Sequence, residues 1–335
     1  MMRQKLGKLL VTFLGAAVLS APLNAAKLHT GKETGAYFND IGPAVKAYLD
    51  KQLFRMDMVM SPGSTANLSL VAANPGDVGL SRADTYAIYN AENPGAVVAV
   101  PSGVKSCLYA VTKSPAILGD DPTVAWGNML RLAPRMKVGL PSKTAGATTT
   151  FRFISSNEES LQRVRDNNIV NYEKADLAIE AAAAGEVDVA FFVQFPDPTN
   201  KRFQLISEKE LTIIGVGSRA MSRLTVPSPD GGEPQRVYQV QNVPVQETLG
   251  GWGSDQTVST MCTEIVIVTG SPDNLEGNAK MDQKDLISVL SEAPKGSFEP
   301  QASWFAGVKK YMAPLADGAS AKYLDAIEAT KDLAQ

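Results

Sequence analysis

Leu28-His29-Thr30-Gly31-Lys32-Glu33-Thr34-Gly35-Ala36-Tyr37-Phe38-Asn39-Asp40 is a short strand that runs into a Gly- and Thr-rich loop and then into a helix. The helix carries Ile41, Val45 and Leu49 on one face. Asn39 or Asp40 is placed to cap it by accepting a hydrogen bond from a free N–H of its first turn. Such a helix start combines unpaired N–H groups with a partial positive charge, which suits an anionic or strongly accepting ligand. Gly31 and Gly35 let the backbone come close, and Thr30, Thr34 and Tyr37 supply hydroxyls. Taken alone, the pattern also describes an ordinary tight turn. Its recurrence along the chain decides the fold.

The same junction returns three times. A strand at Met56–Met60 ends in Ser61-Pro62-Gly63-Ser64-Thr65-Ala66-Asn67 and opens a helix carrying Leu68, Leu70 and Val71. A strand at Asp77–Leu80 leads into Ser81-Arg82-Ala83-Asp84-Thr85-Tyr86 and a third helix. After a short strand at Ala96–Val100 and a longer β-type run at Gly103–Thr112, the pattern restarts. A helix at Asp121–Leu132, capped by Asp120 or Asp121, turns Val124, Trp126, Met129 and Leu130 inward. A strand at Met136–Leu140 then enters the polar stretch Pro141–Thr150 and a helix with Phe151, Phe153 and Ile154. Beyond it come a helix at Glu158–Arg165, a strand at Ile169–Tyr172, an Ala-rich helix at Lys174–Gly185 ended by its glycine, and a strand at Val187–Val193. Strand–helix alternation of this kind builds parallel sheets with crossover helices, whose ligands bind beyond the carboxyl ends of the strands. The segment 199–253 is less regular, with one buried-type strand at Leu211–Val216 and a turn or exposed insertion at Ser228–Gly232. A long β run at Met261–Thr269 matches the one around Cys107. Helices are expected at about 282–292, 301–312 and 318–333.

The 335 residues carry 32 Lys and Arg against 35 Asp and Glu, a balance that gives no reason to expect nucleic acid or an anionic membrane surface as partner. The single histidine, His29, excludes a His-rich metal site and would be the only base for a Ser-His-Asp arrangement. At a strand end it reads as a structural residue. No metal and no cofactor is expected. Residues 1–25 read as a secretory signal peptide: Arg3, Lys5 and Lys8, then apolar Leu9–Leu19, then a small-x-small cleavage site at Leu23-Asn24-Ala25. The chain is therefore expected in the periplasm, monomeric, with no stable membrane insertion after cleavage. There its two cysteines, Cys107 and Cys262, lie in an oxidising compartment.

Polar helix-opening junctions on both sides of the β run at Cys107 describe two lobes joined by two crossing strands. The cleft between them is expected to be lined by Thr34, Gly35, Tyr37, Ser64, Thr65, Asn67 and Arg82 on one side. Thr144, Gly146, Thr148 and Gln194 would face them, with Phe195 and Trp252 as further aromatic candidates beside Tyr37. Lys32 and Glu33 belong at the cleft mouth, in water. Arg82 is the sharpest single residue. Either its guanidinium clamps a carboxylate from the cleft, or it is a surface residue or the partner of Asp84. Arg152 is the reserve candidate for the clamp.

Three stretches carry a family resemblance: Gly31-x-x-Thr34-Gly35-Ala36-Tyr37-Phe38, Gly63-Ser64-Thr65-Ala66-Asn67-Leu68-x-Leu70, and Asp77-Val78-Gly79-Leu80-Ser81-Arg82-Ala83-Asp84. They resemble the opening motifs of TAXI-class solute receptors of TRAP transporters, which have the type II periplasmic-binding-protein fold. Gly185–Val193 is similar to that family's strand facing the cleft. Lys32-Glu33, Arg82 and the Pro196-Asp197-Pro198 turn depart from the family pattern. The resemblance implies a two-lobed α/β architecture, each lobe a mainly parallel sheet flanked by helices. Residues 26–110 and 260–335 would form lobe 1, and 111–259 lobe 2. In that topology the crossover strands are neighbours at the hinge, so Cys107 and Cys262 are expected to lie close together, as a disulfide or as two buried thiols.

The implied function is capture of a small polar, carboxylate-bearing solute by hinge closure and delivery to TRAP permease subunits in the membrane. An ABC importer or a membrane sensor is the alternative partner. An enzyme on the same fold is disfavoured by the lone histidine and the absence of a nucleophile motif.

Overall fold

The computed structural model describes residues 26–33, 35–120, 124–198, 200–217, 219–226, 235–246 and 256–299. Strands β1 (Ala26–His29), β2 (Met56–Val59) and β3 (Val78–Arg82) alternate with helices α1 (Gly42–Lys51), α2 (Ser64–Ala73) and α3 (Ala83–Glu92). The 16-residue strand β4 (Val97–Thr112) then leads through α4 (Pro115–Leu118) and α5 (Ala125–Leu132) to β5 (Val138–Leu140), α6 (Gly146–Asn157) and α7 (Glu159–Gln162). β6 (Ile169–Asn171), α8 (Ala175–Ala184), β7 (Val189–Gln194), α9 (Lys201–Glu208), β8 (Thr212–Gly215) and α10 (Arg219–Ser222) follow. β9 (Thr225–Val226) and β10 (Gln235–Arg236) pair with each other, and β11 (Gln239–Gln246) precedes the 15-residue return strand β12 (Gln256–Gly270) and α11 (Gly277–Ser291).

Ten of these strands join one sheet in the order β2-β1-β3-β12-β4-β7-β5-β6, with β11 beside β12 and β8 beside β4. The short strands pair in parallel, β1 with β2 and β3, and β5 with β6 and β7. The two long strands are antiparallel to each other and serve both halves. β12 meets β3 through Ile265–Thr269 and β11 through Gln256–Cys262. β4 meets β7 through Cys107–Val111 and β8 through Tyr109–Thr112. Cys107 and Cys262 lie directly opposite each other on β4 and β12 and are disulfide-bonded.

Each lobe packs its own core. In the first, Ile41, Val45 and Leu49 are fully buried beneath Leu28, Leu80 and Ile267. In the second, Trp126, Met129 and Leu130 of α5 and Phe151 of α6 cover Phe191 of β7. Each such side chain contributes about 1.5–3 kcal/mol by leaving water.

Several expectations need correction. Neither Asn39 nor Asp40 caps the first helix. The chain enters it earlier, through a wide π-helical turn at Tyr37–Ile41, and the Asn39 amide donates back to the carbonyls of Glu33 and Gly35. Ala96–Val100 and Gly103–Thr112 are not two strands but one. Gly103 takes φ 76°, and the register slips between Glu264 and Val266. Ser102 Oγ donates to the Ile265 carbonyl, and Glu264 accepts from the Gly103 N–H, so pairing continues across the irregularity. Arg82 is both the last residue of β3 and the N-cap of α3, so strand and helix join there without a loop. Helix α5 starts at Ala125 without a side-chain cap, and Asp121 lies outside the described residues, as do 301–335 and Trp252. Helix α9 and strand β11 fall in the stretch expected to be irregular. His29 is structural as expected: it is buried, and its Nε2 meets Asp77 Oδ2 at 2.8 Å. Gly185 ends α8 in the left-handed conformation, φ 75°.

Candidate functional site

Six strand ends converge on one cavity of about 180 Å³ between the lobes. Gly31 and Lys32 follow β1, Gly63 and Ser64 follow β2, and Arg82 ends β3. From the other lobe, Ser142 and Gly146 follow β5, Glu173 and Lys174 follow β6, and Gln194 and Phe195 end β7. This is where parallel sheets place ligands, because the helices that follow open their N-termini there. The starts of α2 and α6 both line the cavity, and no side chain caps either one. Their first N–H groups are therefore left to a guest or to water.

The floor is built by neighbouring strands. Arg82 on β3 pairs with Ile265 of β12, Thr263 of β12 pairs with Ser106 of β4, and Cys107 of β4 pairs with Gln194 of β7. Strands in a sheet lie about 4.8 Å apart, so Arg82, Ser106 and Gln194 step across β3, β4 and β7 in neighbouring register positions beside the disulfide.

Arg82 is 2% exposed. Its Nη2 donates to Asp84 Oδ2 at 2.9 Å, while Nε and Nη1 are buried with no partner. Arg82 is thus paired with Asp84 and lines the cavity while keeping Nε and Nη1 without a protein partner. Asp84, also buried, is saturated. Its Oδ2 further accepts from Thr150 Oγ1 at 2.6 Å and Tyr238 Oη at 2.8 Å, and its Oδ1 accepts from the Thr85 N–H and hydroxyl. Thr150 and Tyr238 belong to the second lobe, so this carboxylate ties the lobes together behind the guanidinium. Burial raises the Tyr238 phenol well above its ordinary value, and the Asp84 charge adds to the shift. Burial likewise raises the Tyr37 phenol, with the Arg82 charge opposing.

Two more buried groups lining the cavity have no partner, Ser106 Oγ and Gln194 Nε2. The orientation of the Gln194 amide is fixed, since its Oε1 accepts from Arg202 Nη1 and its nitrogen must then face away from that bond. Arg202 in turn is held by Asp176 at 2.7 Å and lies over the Phe192 ring. The lobes also touch around the rim. Lys32 Nζ donates to the Glu173 carbonyl at 2.9 Å, and the Thr65 and Thr149 hydroxyls are 3.2 Å apart.

Gly35, Tyr37, Ser64, Arg82, Gly146, Gln194 and Phe195 all line this cavity. Thr34 lies outside the described residues. Four other expected residues are placed elsewhere. Asn67 is fully buried on α2, where its amide nitrogen donates to the carbonyls of His29, Thr30 and Leu80 and so ties β1 to β3. Thr148 donates to the Pro141 carbonyl inside α6, Thr65 spends its hydroxyl on Thr149, and Thr144 is exposed. Arg152, the reserve cation, is exposed and lies away from this cavity. Ser106, Lys174 and Arg202 were not foreseen. Ser106 adjoins Cys107 on a strand read only as a hinge, and Arg202 sits on the unforeseen α9. No helix among the described residues is long and apolar enough to cross a membrane.

No family model and no curated protein matches the chain. Among solved structures, the glutamate-bound ligand-binding core of GluR0 is similar, with TM-score 0.43 and 11% identity over 88% of this chain and 100% of that one. An arginine-bound amino acid ABC transporter substrate-binding protein, AbpA from Streptococcus pneumoniae, gives TM-score 0.45 and 11% identity over 91% and 96%. A binding component of an ABC phosphonate transporter from Pseudomonas aeruginosa gives 0.43 and 11% over 92% and 96%. The strand order, with β4 and β12 crossing between two flanked half-sheets, gives this chain the two-lobed α/β fold of periplasmic-binding-protein type.

Proposed function

We propose that the protein is an extracytoplasmic solute receptor that captures a small carboxylate-bearing solute between its lobes, 26–110 with 260–335 and 111–259. One observation carries the reading: three residues that line one cavity, Arg82, Ser106 and Gln194, carry buried polar atoms without a partner. Buried polar groups without partners are rare in native proteins. Here Arg82 supplies three orphan N–H bonds, one on Nε and two on Nη1, and Gln194 adds two more. A carboxylate satisfies such donors with charge-assisted bonds. The volume suits one small solute, since a cavity of about 150 Å³ holds benzene.

Capture then works by exchange. In the open state water serves these donors. On closure the anion takes the Arg82, Ser106 and Gln194 donors and the free N–H groups of α2 and α6. Asp84 meets Thr150 and Tyr238, which locks the closed arrangement. Hinge motion about β4 and β12 needs no covalent chemistry.

Delivery to a TRAP-type permease rests on the motif resemblance. An ABC importer or a sensor is the alternative consumer, and a gene for a multi-helix TRAP permease beside this one would favour the first. Export to the periplasm rests on residues 1–25. The test of capture is a thermal-shift screen against carboxylates and amino acids. A ligand at about 100 times its Kd adds roughly 2.7 kcal/mol of stability. A screen in which no anion stabilises the protein would refute the proposal.

A further inference from the structure

We infer that the solute is a carboxylate with no ammonium group: a 2-oxo, alkyl or aryl acid rather than an amino acid. This rests on the carboxylate reading above and narrows it. The buried end of the cavity offers donors and no free carboxylate. Arg82 Nε and Nη1 and Gln194 Nε2 can only donate, and Ser106 Oγ is a neutral hydroxyl. The buried carboxylate nearby is already taken. Asp84 receives five donors on two oxygens, and a carboxylate has about four lone-pair sites. Gln194 Oε1 is held by Arg202, and the Tyr37 and Ser64 hydroxyls bond each other at 3.2 Å. The one carboxylate among the lining residues, Glu173, is exposed at the mouth, beside Lys174 and beneath Lys32.

An α-ammonium would sit within two bonds of the bound carboxylate, next to the Arg82 guanidinium and with no anion to neutralise it. Burying a cation without a partner is strongly unfavourable. The rest of the lining mixes the apolar Ala36, Pro62, Ala147, Val193 and Phe195 with the cations Lys32, Lys174 and Arg202, so a positive group on the solute would meet like charge there as well.

The test is calorimetric titration of the mature chain with matched pairs that differ only at the 2-position: 4-methyl-2-oxopentanoate against leucine, and phenylpyruvate against phenylalanine. 2-Oxoglutarate against glutamate serves as the pair with a charged body. The inference expects each oxo acid that binds to do so at least tenfold tighter than its amino acid. An amino acid binding as tightly as its oxo acid would overturn the inference and leave the carboxylate reading intact. If no member of any pair bound, the carboxylate reading itself would fail, and the inference with it.

Discussion

Replacing Arg82 by lysine separates the two duties of this residue. The guanidinium serves Asp84 through Nη2 and leaves Nε and Nη1 for the cavity. Lysine keeps the positive charge beside Asp84, but its single nitrogen is a point donor and cannot span both partners. Asp84 retains Thr85, Thr150 and Tyr238, so the fold should survive with a loss of about 1–2 kcal/mol, the size of one hydrogen bond to a charged group. The solute loses the hydrogen bonds that Nε and Nη1 would give it, each worth about 1.5–3 kcal/mol to a charged acceptor, part of which the ammonium recovers. A net loss of about 2–3 kcal/mol corresponds to a Kd raised roughly 30- to 150-fold. Arg82→Ala is less clean. It leaves Asp84 as a buried charge without its cation, which typically costs about 3–5 kcal/mol of stability. The assay is calorimetric titration of wild type and Arg82→Lys with the tightest carboxylate from the screen, alongside urea unfolding of both without ligand. A Kd within about threefold of wild type would refute the clamp.

Other outcomes follow from the same geometry. A Cβ on Gly146 would sit 3.2 Å from Ser64 Oγ and 3.6 Å from Arg82 Cδ, across the interlobe contact. Gly146→Val should therefore weaken solute binding at least tenfold while urea unfolding without ligand shifts by less than about 1 kcal/mol; unchanged affinity would show that the lobes need not meet there. Denatured, unreduced protein should contain no free thiol, and two after reduction. Because the bridge spans 155 residues of sequence, reduction should lower stability by about 2–5 kcal/mol in urea titrations. The Asp40 carboxyl is pushed up to about 6 by burial, with the Asp197 charge adding. Its folded pKa lies above the unfolded value, so the folded state holds more protons between about pH 4 and 6, and this contribution to stability is lost as pH rises through 6. Asp40→Asn should therefore be more stable than wild type at pH 7.5, with the advantage gone by pH 4. An equal difference at both values would contradict the assignment.

Much of the architecture was legible because it is periodic. Alternating strands and helices predicted both half-sheets, and the resemblance placed the two long β runs side by side. The failures have local causes. Gly103 and its bulge looked like a strand end, although Ser102 and Glu264 carry the pairing across it. Strand β11 is interrupted by Gln, Asn and Pro244 and lacks the aliphatic run that marked β12. Helix α9 starts at Asn200, whose Oδ1 accepts from the Arg202 N–H. That cap was readable, but the polar residues after it hid the apolar face made by Phe203 and Ile206.

For the site, small polar residues at strand ends marked the right loops, but composition cannot tell a side chain that faces the cavity from one that ties the loop down. Asn67 and Thr148 have the polarity of ligand donors and spend it on backbone carbonyls. Ser106 looked like part of a hinge strand and lines the cavity. The value of Arg82 depended on a partner two residues away. Asp84 does not cancel its guanidinium but holds it, and leaves two nitrogens open.

The central claim is that one small anion is held by buried donors between the lobes. Calorimetric titration of refolded, ligand-free mature protein with a panel of monocarboxylates tests it most directly. The account predicts saturable binding of at least one of them at one site per chain. Absence of saturable binding across the panel, or binding in excess of one site per chain, would contradict it.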